Sequence, residues 1–478
     1  MERENAWKSC NKQTVKEIFG FCEGYKKFIS ECKTERECTR RSIQMAEEHG
    51  YRNLKEIIAA KETIKSGDKV YADNMGKAIV LFNIGKKPIE EGLKILGAHI
   101  DSPRLDVKQN PLYEDSDLVL MDTHYYGGIK KYQWTTIPLA LHGVVALTDG
   151  SVIDVEIGEK EKDPVVCVSD LLIHLAAEQM EKNGAKVVEG EALDLVVGNM
   201  PFNPKKDEKN PAKAYILDIL KKKYRIAEED FMSAELEAVP AGKARDLGLD
   251  ASMVLGYGQD DRVCAYTSLM AMLEVEEPEY TSVCLLVDKE EIGSVGATGM
   301  QSLFFENMVA EILDRMGCYS ELILRRTLAN SEMLSSDVNA GFDPNYAYAF
   351  EKKNASYLGR GVVFSKFTGS RGKSGSNDAN AEYIARVRKA LERENVAYQM
   401  AELGKVDIGG GGRNLRTAGR QVDIGGGGTI AYILAKYGMD VIDCGVAVLS
   451  MHAPYEATSK IDIYEAKRGY VAFLNAGK

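Results

Sequence analysis

A chain of 478 residues exceeds what one ordinary hydrophobic core organises, so two domains are the natural reading. Hydrophobic residues at 45% indicate a folded globular protein, and a formal charge of −11 argues against a nucleic-acid binder, which would carry a basic face. No run approaches the roughly 18 to 20 apolar residues that a membrane span needs, and the N-terminal MERENAWKSCNKQ lacks the apolar stretch of a signal peptide, so the chain reads as cytoplasmic. Nine cysteines lie scattered without a CxxC pair, which argues against both a disulfide framework and a zinc-thiolate site.

Residues 3 to 66 read as helical, with Val15, Phe19, Phe21, Tyr25, Phe28 and Ile29 at three-and-four spacing. Gly67 and Asp68 break this pattern, and strands are predicted over Lys69 to Ala72, Ala78 to Asn83 and Leu93 to Ile100. From about Val107 to Ala244, alternating stretches such as Val144 to Leu147 and Val152 to Ile157 suggest antiparallel strands with one wet face. Ser169 before LLIHLAAEQMEK reads as a capped amphipathic helix, and NPKKDEKNP, 203 to 211, as a polar loop. This block reads as a β-rich insertion, residues 107–245, within a domain formed by residues 1–106 and 246–478.

After Asp246 the pattern turns α/β. Helices are predicted over Asp261 to Leu273, Met300 to Met316, Asp378 to Arg393, Thr429 to Tyr437 and Ile463 to Ala476, with strands over Ser282 to Val287, Leu322 to Thr327 and Val441 to Ile442. The fold class is therefore α/β, with a mixed, mostly parallel sheet flanked by helices and ligands gathered at the carboxyl ends of strands. VDIGGGG occurs twice, at 406 to 412 and 422 to 428, and reads as a local duplication; it lacks the Lys and Ser/Thr of a phosphate loop.

The chemistry-bearing residues fall where strands end. The run Val283 to Val287 leads into Glu290 and Glu291 and then glycines, so adjacent carboxylates can face different ways. Such a doublet by itself ordinarily sits on a solvated face. His99 closes an apolar strand in LGAHIDSPR, and Asp101, two residues on, lies on its side of the strand and can hold the imidazole in its metal-binding tautomer. His452 exits another apolar stretch in LSMHAPYEATS, Asp260 and Asp261 precede a helix in GYGQDDRVCAY, and Asp337 follows a strand in LSSDVNAGFDP. Two histidines, an Asp pair, a Glu pair and a further Asp suit a two-zinc site with one bridging carboxylate.

In that order across almost the whole chain, GAHIDSPR, GQDDRV, DKEEIGSVGATG, SSDVNAGFDPNY and SMHAP resemble the aspartyl aminopeptidase family of di-zinc metallopeptidases. The resemblance implies two zinc ions per subunit: His99, Asp260 and Asp337 on one, and Asp260, Glu291 and His452 on the other. Cobalt or manganese could use the same nitrogen and oxygen ligands. It further implies Glu290 as general base, Asp101 orienting His99, and the inserted block as a dimerisation domain. The choice of Asp260 over Asp261 rests on the family pattern. His142, in IPLALHGVV, matches a histidine that reaches a neighbouring subunit's active site, with a tetrahedral homododecamer built from dimers as the expected assembly; a core histidine of the inserted domain is the competing reading. Asn339 stands where better-known members often carry a second histidine. Lys366, Arg371 and Lys373, in KFTGSRGKSGSNDAN, are candidates for binding an acidic side chain, and a mobile basic loop is the competing reading.

The function implied is a metal-dependent aminopeptidase acting on peptides, with no nucleic-acid or membrane partner. A glutamyl aminopeptidase or carboxypeptidase type of di-metal exopeptidase is the alternative among enzymes, and a metal-bearing assembly scaffold the alternative outside them.

Overall fold

A computed structural model describes residues 3–202, 204, 206, 208–368, 373, 375–406 and 430–477, which form two compact units. The first comprises Met1–Asp101, Ala244–Met451 and Glu456–Lys478, and the second Ser102–Lys243 and His452–Tyr455. Apart from Val406, both copies of VDIGGGG lie outside the described residues, as do Arg371 and Thr429.

The first unit is built on a nine-stranded sheet in the order Arg52–Asn53, Lys69–Asn74, Ala78–Asn83, Ser282–Val287, Lys94–His99, Glu332–Ser336, Asp440–Gly445, Val362–Ser365, Tyr398–Met400. Its middle strands, 282–287, 94–99, 332–336 and 440–445, run parallel. Every residue of the first three is buried, because helices cover both faces. Period-two alternation then divides each strand between two apolar layers: Leu96, Ala98, Cys284, Leu286 and Leu334 join one, and Ile95, Val283, Leu285, Val287 and Met333 the other. Burial on both faces is why these strands read as nearly continuous apolar runs. Helices Lys12–Glu31, Gln259–Glu274, Ala381–Arg393 and Lys460–Leu474 complete the first layer, and Phe304–Arg315 with Glu321–Ala329 the second. A five-stranded sheet in the same unit runs Arg245–Leu247, Met253–Gly256, Glu456–Ser459, Ala447–Leu449, Asn339–Ala340.

The second unit carries a seven-stranded sheet in the order Val152–Ile157, Leu139–Ala146, Ala234–Pro240, Arg104–Asp115, Leu118–Tyr126, Leu195–Gly198, Cys167–Val168. All its pairings are antiparallel, and Val119, Met121 and Thr123 alternate inward along one strand.

Two predicted elements differ. The expected strand Leu322 to Thr327 is a helix, Glu321–Ala329, and the strand of that βα unit is Glu332–Ser336 instead. Its buried residues, Leu324, Thr327 and Leu328, follow helical spacing, and the Ser320 hydroxyl caps it by accepting the Ile323 N–H. The expected helix after Ser169 reduces to a turn, Ile173–Leu175, and the short Ala177–Met180. Leu171, Leu172, Ile173 and Leu175 are exposed, so among the described residues the apolar face has no core on which a longer helix could form.

The helix Lys460–Leu474 also braces the edge of the main sheet. In its first turn Asp462 is fully buried and accepts the N–H groups of Gly359 and Gly361, each at 2.7 Å, just before the strand Val362–Ser365. A Cβ at Gly361 would meet the Ala397 carbonyl oxygen at 1.9 Å, so only glycine fits there. Burial pushes the Asp462 carboxyl up to about 7 in spite of the two N–H donors. The native state therefore keeps this proton above the pH, about 4, at which an unfolded Asp releases it. Across that window the native state binds more protons than the unfolded state, so this group's contribution to stability falls as pH rises from about 4 through 7. Asp462→Asn should flatten the decline in urea-unfolding free energy between about pH 5 and 8; equal slopes for variant and wild type would refute this account.

Candidate metal centre

The carboxyl ends of three adjacent parallel strands converge. His99 is the last residue of the 94–99 strand, Asp337 follows the 332–336 strand on one side, and Glu290 and Glu291 follow the 282–287 strand on the other. Ser335 pairs with Gly97 and Val287 with His99, so the three strands end at nearly the same level. Gly445, at the end of the next parallel strand, passes so close that a Cβ would lie 2.0 Å from the Asp337 carbonyl oxygen. Asp260 enters from the start of the helix Gln259–Glu274, where Gly258 is left-handed at φ 70° and Asp260 and Asp261 depart from helical geometry. That departure sends successive carboxylates in different directions.

The distances define the grouping. His99 Nε2 lies 3.2 Å from Asp260 Oδ1, and 3.9 Å from both Asp337 Oδ1 and Glu290 Oε2. His99, Asp260 and Asp337 offer ligand atoms within 4.8 Å of one another, and Asp260 and Glu291 do so as well. On the far side of the ring, His99 Nδ1 is 3.3 Å from Asp101 Oδ1 and 3.1 Å from the Asp101 carbonyl oxygen. With Nδ1–H donating there, Nε2 is the nitrogen turned toward the carboxylates, and in the neutral ring it would be the one available to a metal. Asp101 also reaches the Glu doublet: its two carboxylate oxygens accept the backbone N–H groups of Glu290 at 3.1 Å and Glu291 at 3.2 Å. The doublet sits in the short turn Glu290–Ile292, between left-handed Lys289 and Gly293.

Charge in this pocket is one-sided. Burial, followed by the nearby Asp261 and Asp260 carboxylates, raises Asp337 well above the usual carboxylate range. Burial opposes a charge on His99, yet hydrogen bonds to Asp101 and Asp260 lift its pKa well above the ordinary imidazole value. A divalent cation would offset this crowding, and an imidazole nitrogen with several carboxylate oxygens is a donor set that zinc accepts. The residues present therefore fit the metal.

The remaining predicted residues are placed as follows. Asp261, indistinguishable from Asp260 in sequence, turns away from Nε2 and accepts the His99 backbone N–H through Oδ2 at 3.3 Å. His452 stands on the turn His452–Tyr455, with Nδ1 2.7 Å from the Gly128 carbonyl oxygen in the second unit. His142 is buried on the strand Leu139–Ala146, its Nε2 3.2 Å from Glu159 Oε1. Lys366 and Lys373 both pair with Asp378, at 3.6 and 3.0 Å, while Arg371 lies outside the described residues. Asn339 is occupied structurally: it donates to Ser365 Oγ at 2.8 Å and accepts from Ser356 Oγ at 2.9 Å. Sequence reasoning passed over Glu456, whose Oε2 accepts the Asp260 N–H at 3.0 Å. Its only signal was its place four residues after His452.

Residues 28–474 match the family model described as Aminopeptidase I zinc metalloprotease (M18). The chain belongs to the M18 family. A Clostridium acetobutylicum protein called "Probable M18 family aminopeptidase 1" is 60% identical over 474 residues, covering 99% of this chain and 98% of its own. The crystal structure of an M18 aminopeptidase from Thermotoga maritima is 42% identical with a TM-score of 0.91, and 100% of each chain is covered. The S. cerevisiae mApe1 dodecamer, 20% identical, gives a TM-score of 0.73 over 95% of this chain and 96% of that one, a likeness of fold alone. This M18 member is thus a zinc metallo-aminopeptidase, a hydrolase of α/β fold acting on peptides.

Asp101 provides the first test of the centre. Asp101→Asn keeps the shape of the side chain but cannot accept from Nδ1–H and both backbone amides together. Zinc affinity, read by competition with a chromogenic chelator, should fall by about 10- to 100-fold; unchanged affinity would show that Asp101 does not govern the ring.

Proposed function

We propose that this M18 aminopeptidase releases N-terminal residues from peptides at two zinc ions per subunit. His99, Asp260 and Asp337 would hold one, Asp260, Glu291 and His452 the other, with Asp260 bridging. The observation that carries this reading is the approach of His99, Asp260 and Asp337 ligand atoms to within 4.8 Å, with Asp260 equally near Glu291. For His452, an Nδ1–H bond to the Gly128 carbonyl leaves Nε2 as the coordinating nitrogen. Cobalt and manganese suit the same donors.

When bound, zinc makes an attacking water more acidic and polarises the scissile carbonyl. Glu290 acts as the general base. Its carboxylate faces the centre 3.9 Å from His99 Nε2, and its backbone is anchored by Asp101, so it can take a proton from the attacking water and return it to the leaving amine. Asp101 fixes the His99 tautomer. Lys366 and Lys373 offer positive charge for an acidic N-terminal side chain, with Asp378 competing for both. A homododecamer built from dimers through the inserted domain of residues 107–245, in which His142 serves a neighbouring subunit, completes the reading; the yeast neighbour of similar fold is a dodecamer, which supports the dodecameric part of it. All nine cysteines are free thiols, in keeping with a cytoplasmic location.

Paired substitutions divide the roles. Glu290→Gln should keep wild-type zinc content and lower kcat by about 10² to 10⁴, whereas Glu291→Gln should lower zinc affinity itself; the reverse pattern would exchange the assignments. Chelator treatment should abolish peptide hydrolysis and zinc restore it. The enzyme should cleave free peptides and leave N-acetylated ones intact, and cleavage of both at similar rates would exclude an aminopeptidase mode.

A further inference from the structure

Glu456 is a buried carboxylate, 1% exposed, that the proposed mechanism leaves without a task. It opens the strand Glu456–Ser459, which pairs with Met253–Gly256 so that Glu456 lies opposite Gly256. Four residues beyond Gly256 the chain reaches Asp260. The first N–H groups of any helix lack intrahelical partners, and here the non-helical φ and ψ of Asp260, −81° and 106°, remove its amide from the helical pattern altogether. Glu456 Oε2 takes that N–H at 3.0 Å.

The neighbouring residue repeats the attachment, its side chain now donating to the Glu456 backbone. Gln259, fully buried, donates its side-chain Nε2 to the Glu456 backbone carbonyl at 2.5 Å and to the Val254 carbonyl at 3.1 Å, while its Oε1 accepts from the Tyr25 hydroxyl at 3.1 Å. Backbone and side chain of Glu456 thus clasp Gln259 and Asp260 in turn. We infer that Glu456 is a positioning residue for Asp260: by accepting its backbone N–H, it sets the direction in which the Asp260 carboxylate reaches His99 and Glu291. An acceptor at this reach is what the position demands. A side chain shorter by one methylene withdraws it, and an apolar side chain of similar volume leaves the Asp260 amide buried and unbonded.

This inference rests on the zinc reading of the centre, and three variants test it. Glu456→Gln keeps an acceptor oxygen at the same reach without the charge, Glu456→Asp keeps the charge and shortens the reach, and Glu456→Met fills the space with no acceptor. Zinc dissociation constants are measured by chelator competition, alongside kcat and KM at limiting and saturating zinc and the thermal midpoint of the metal-free protein. Glu456→Gln should bind zinc within about threefold of wild type, and Glu456→Asp and Glu456→Met about 10- to 100-fold more weakly. Their loss of kcat should be recovered by added zinc with KM little changed. A merely structural role would lower the metal-free midpoint and leave zinc affinity alone. Should Glu456→Met fail to fold, the Asp and Gln variants decide between them. Zinc bound as tightly by Glu456→Asp as by wild type, or as weakly by Glu456→Gln as by Glu456→Asp, would overturn the inference alone, whereas a wild-type protein without zinc would overturn the reading on which it rests.

Discussion

Asp101 joins the two halves of the centre. On one side its Oδ1 sits 3.3 Å from His99 Nδ1, and on the other its oxygens accept the amides of Glu290 and Glu291. These partners follow different strands, 94–99 and 282–287, separated by nearly 200 positions in sequence but adjacent and parallel in the sheet. The register Val287 to His99 is what lets one carboxylate reach both, so the helix-covered sheet, with strands buried on each face, is a precondition of the site's geometry. A one-residue slip would turn the ring and the doublet to opposite faces.

The same device recurs around the centre. Asp261 accepts the His99 amide and Glu456 the Asp260 amide, so carboxylates grip the backbone of the proposed ligand residues from behind. A backbone N–H only donates and an ionised carboxylate only accepts, so the hydrogen bond between them has a single possible direction. Such grips hold the proposed ligand residues at their main chain. Their cost is accumulated negative charge in a buried place, visible in the elevated Asp337 and Asp261 carboxyls, where burial acts first and neighbouring carboxylates add to it at Asp337. A bound dication offsets that charge, which couples metal binding to the stability of the surrounding structure.

Charge is handled differently at the opposite end of the same strands. Lys94 and Glu332, register partners on neighbouring strands, form a buried ion pair, and Arg386 extends it to Asp440 at 2.7 Å. There each negative group meets a cation from the chain itself, so no external ion is called for. The contrast between a neutralised end and an acidic end of one sheet directs a metal to the carboxyl ends, where open α/β sheets place their ligands.

Much of this was legible before folding was considered. Apolar runs leading into His99 and into Glu290 and Glu291 announced strands that end at the candidate centre, because side-chain type and strand termination are local properties of the chain; the strand before Asp337 was expected too early, at 322 to 327. Their order sufficed for the family resemblance. Local pattern failed where partners are distant. Leu322 to Thr327 has strand-like composition, yet its buried face follows helical spacing, and Leu171 to Leu175 lacks the core that its apolar pattern demands. Asp260 and Asp261 are equivalent as letters; the bend after Gly258 decides which of them faces the imidazole. Glu456 acquires its meaning from a strand pairing that sets it beside the residues leading to Asp260, some 200 positions earlier. Residue types thus determined which chemistry the chain can perform, and the tertiary structure decided which carboxylates face the centre and which hold the others in place, since that depends on pairings no local stretch encodes.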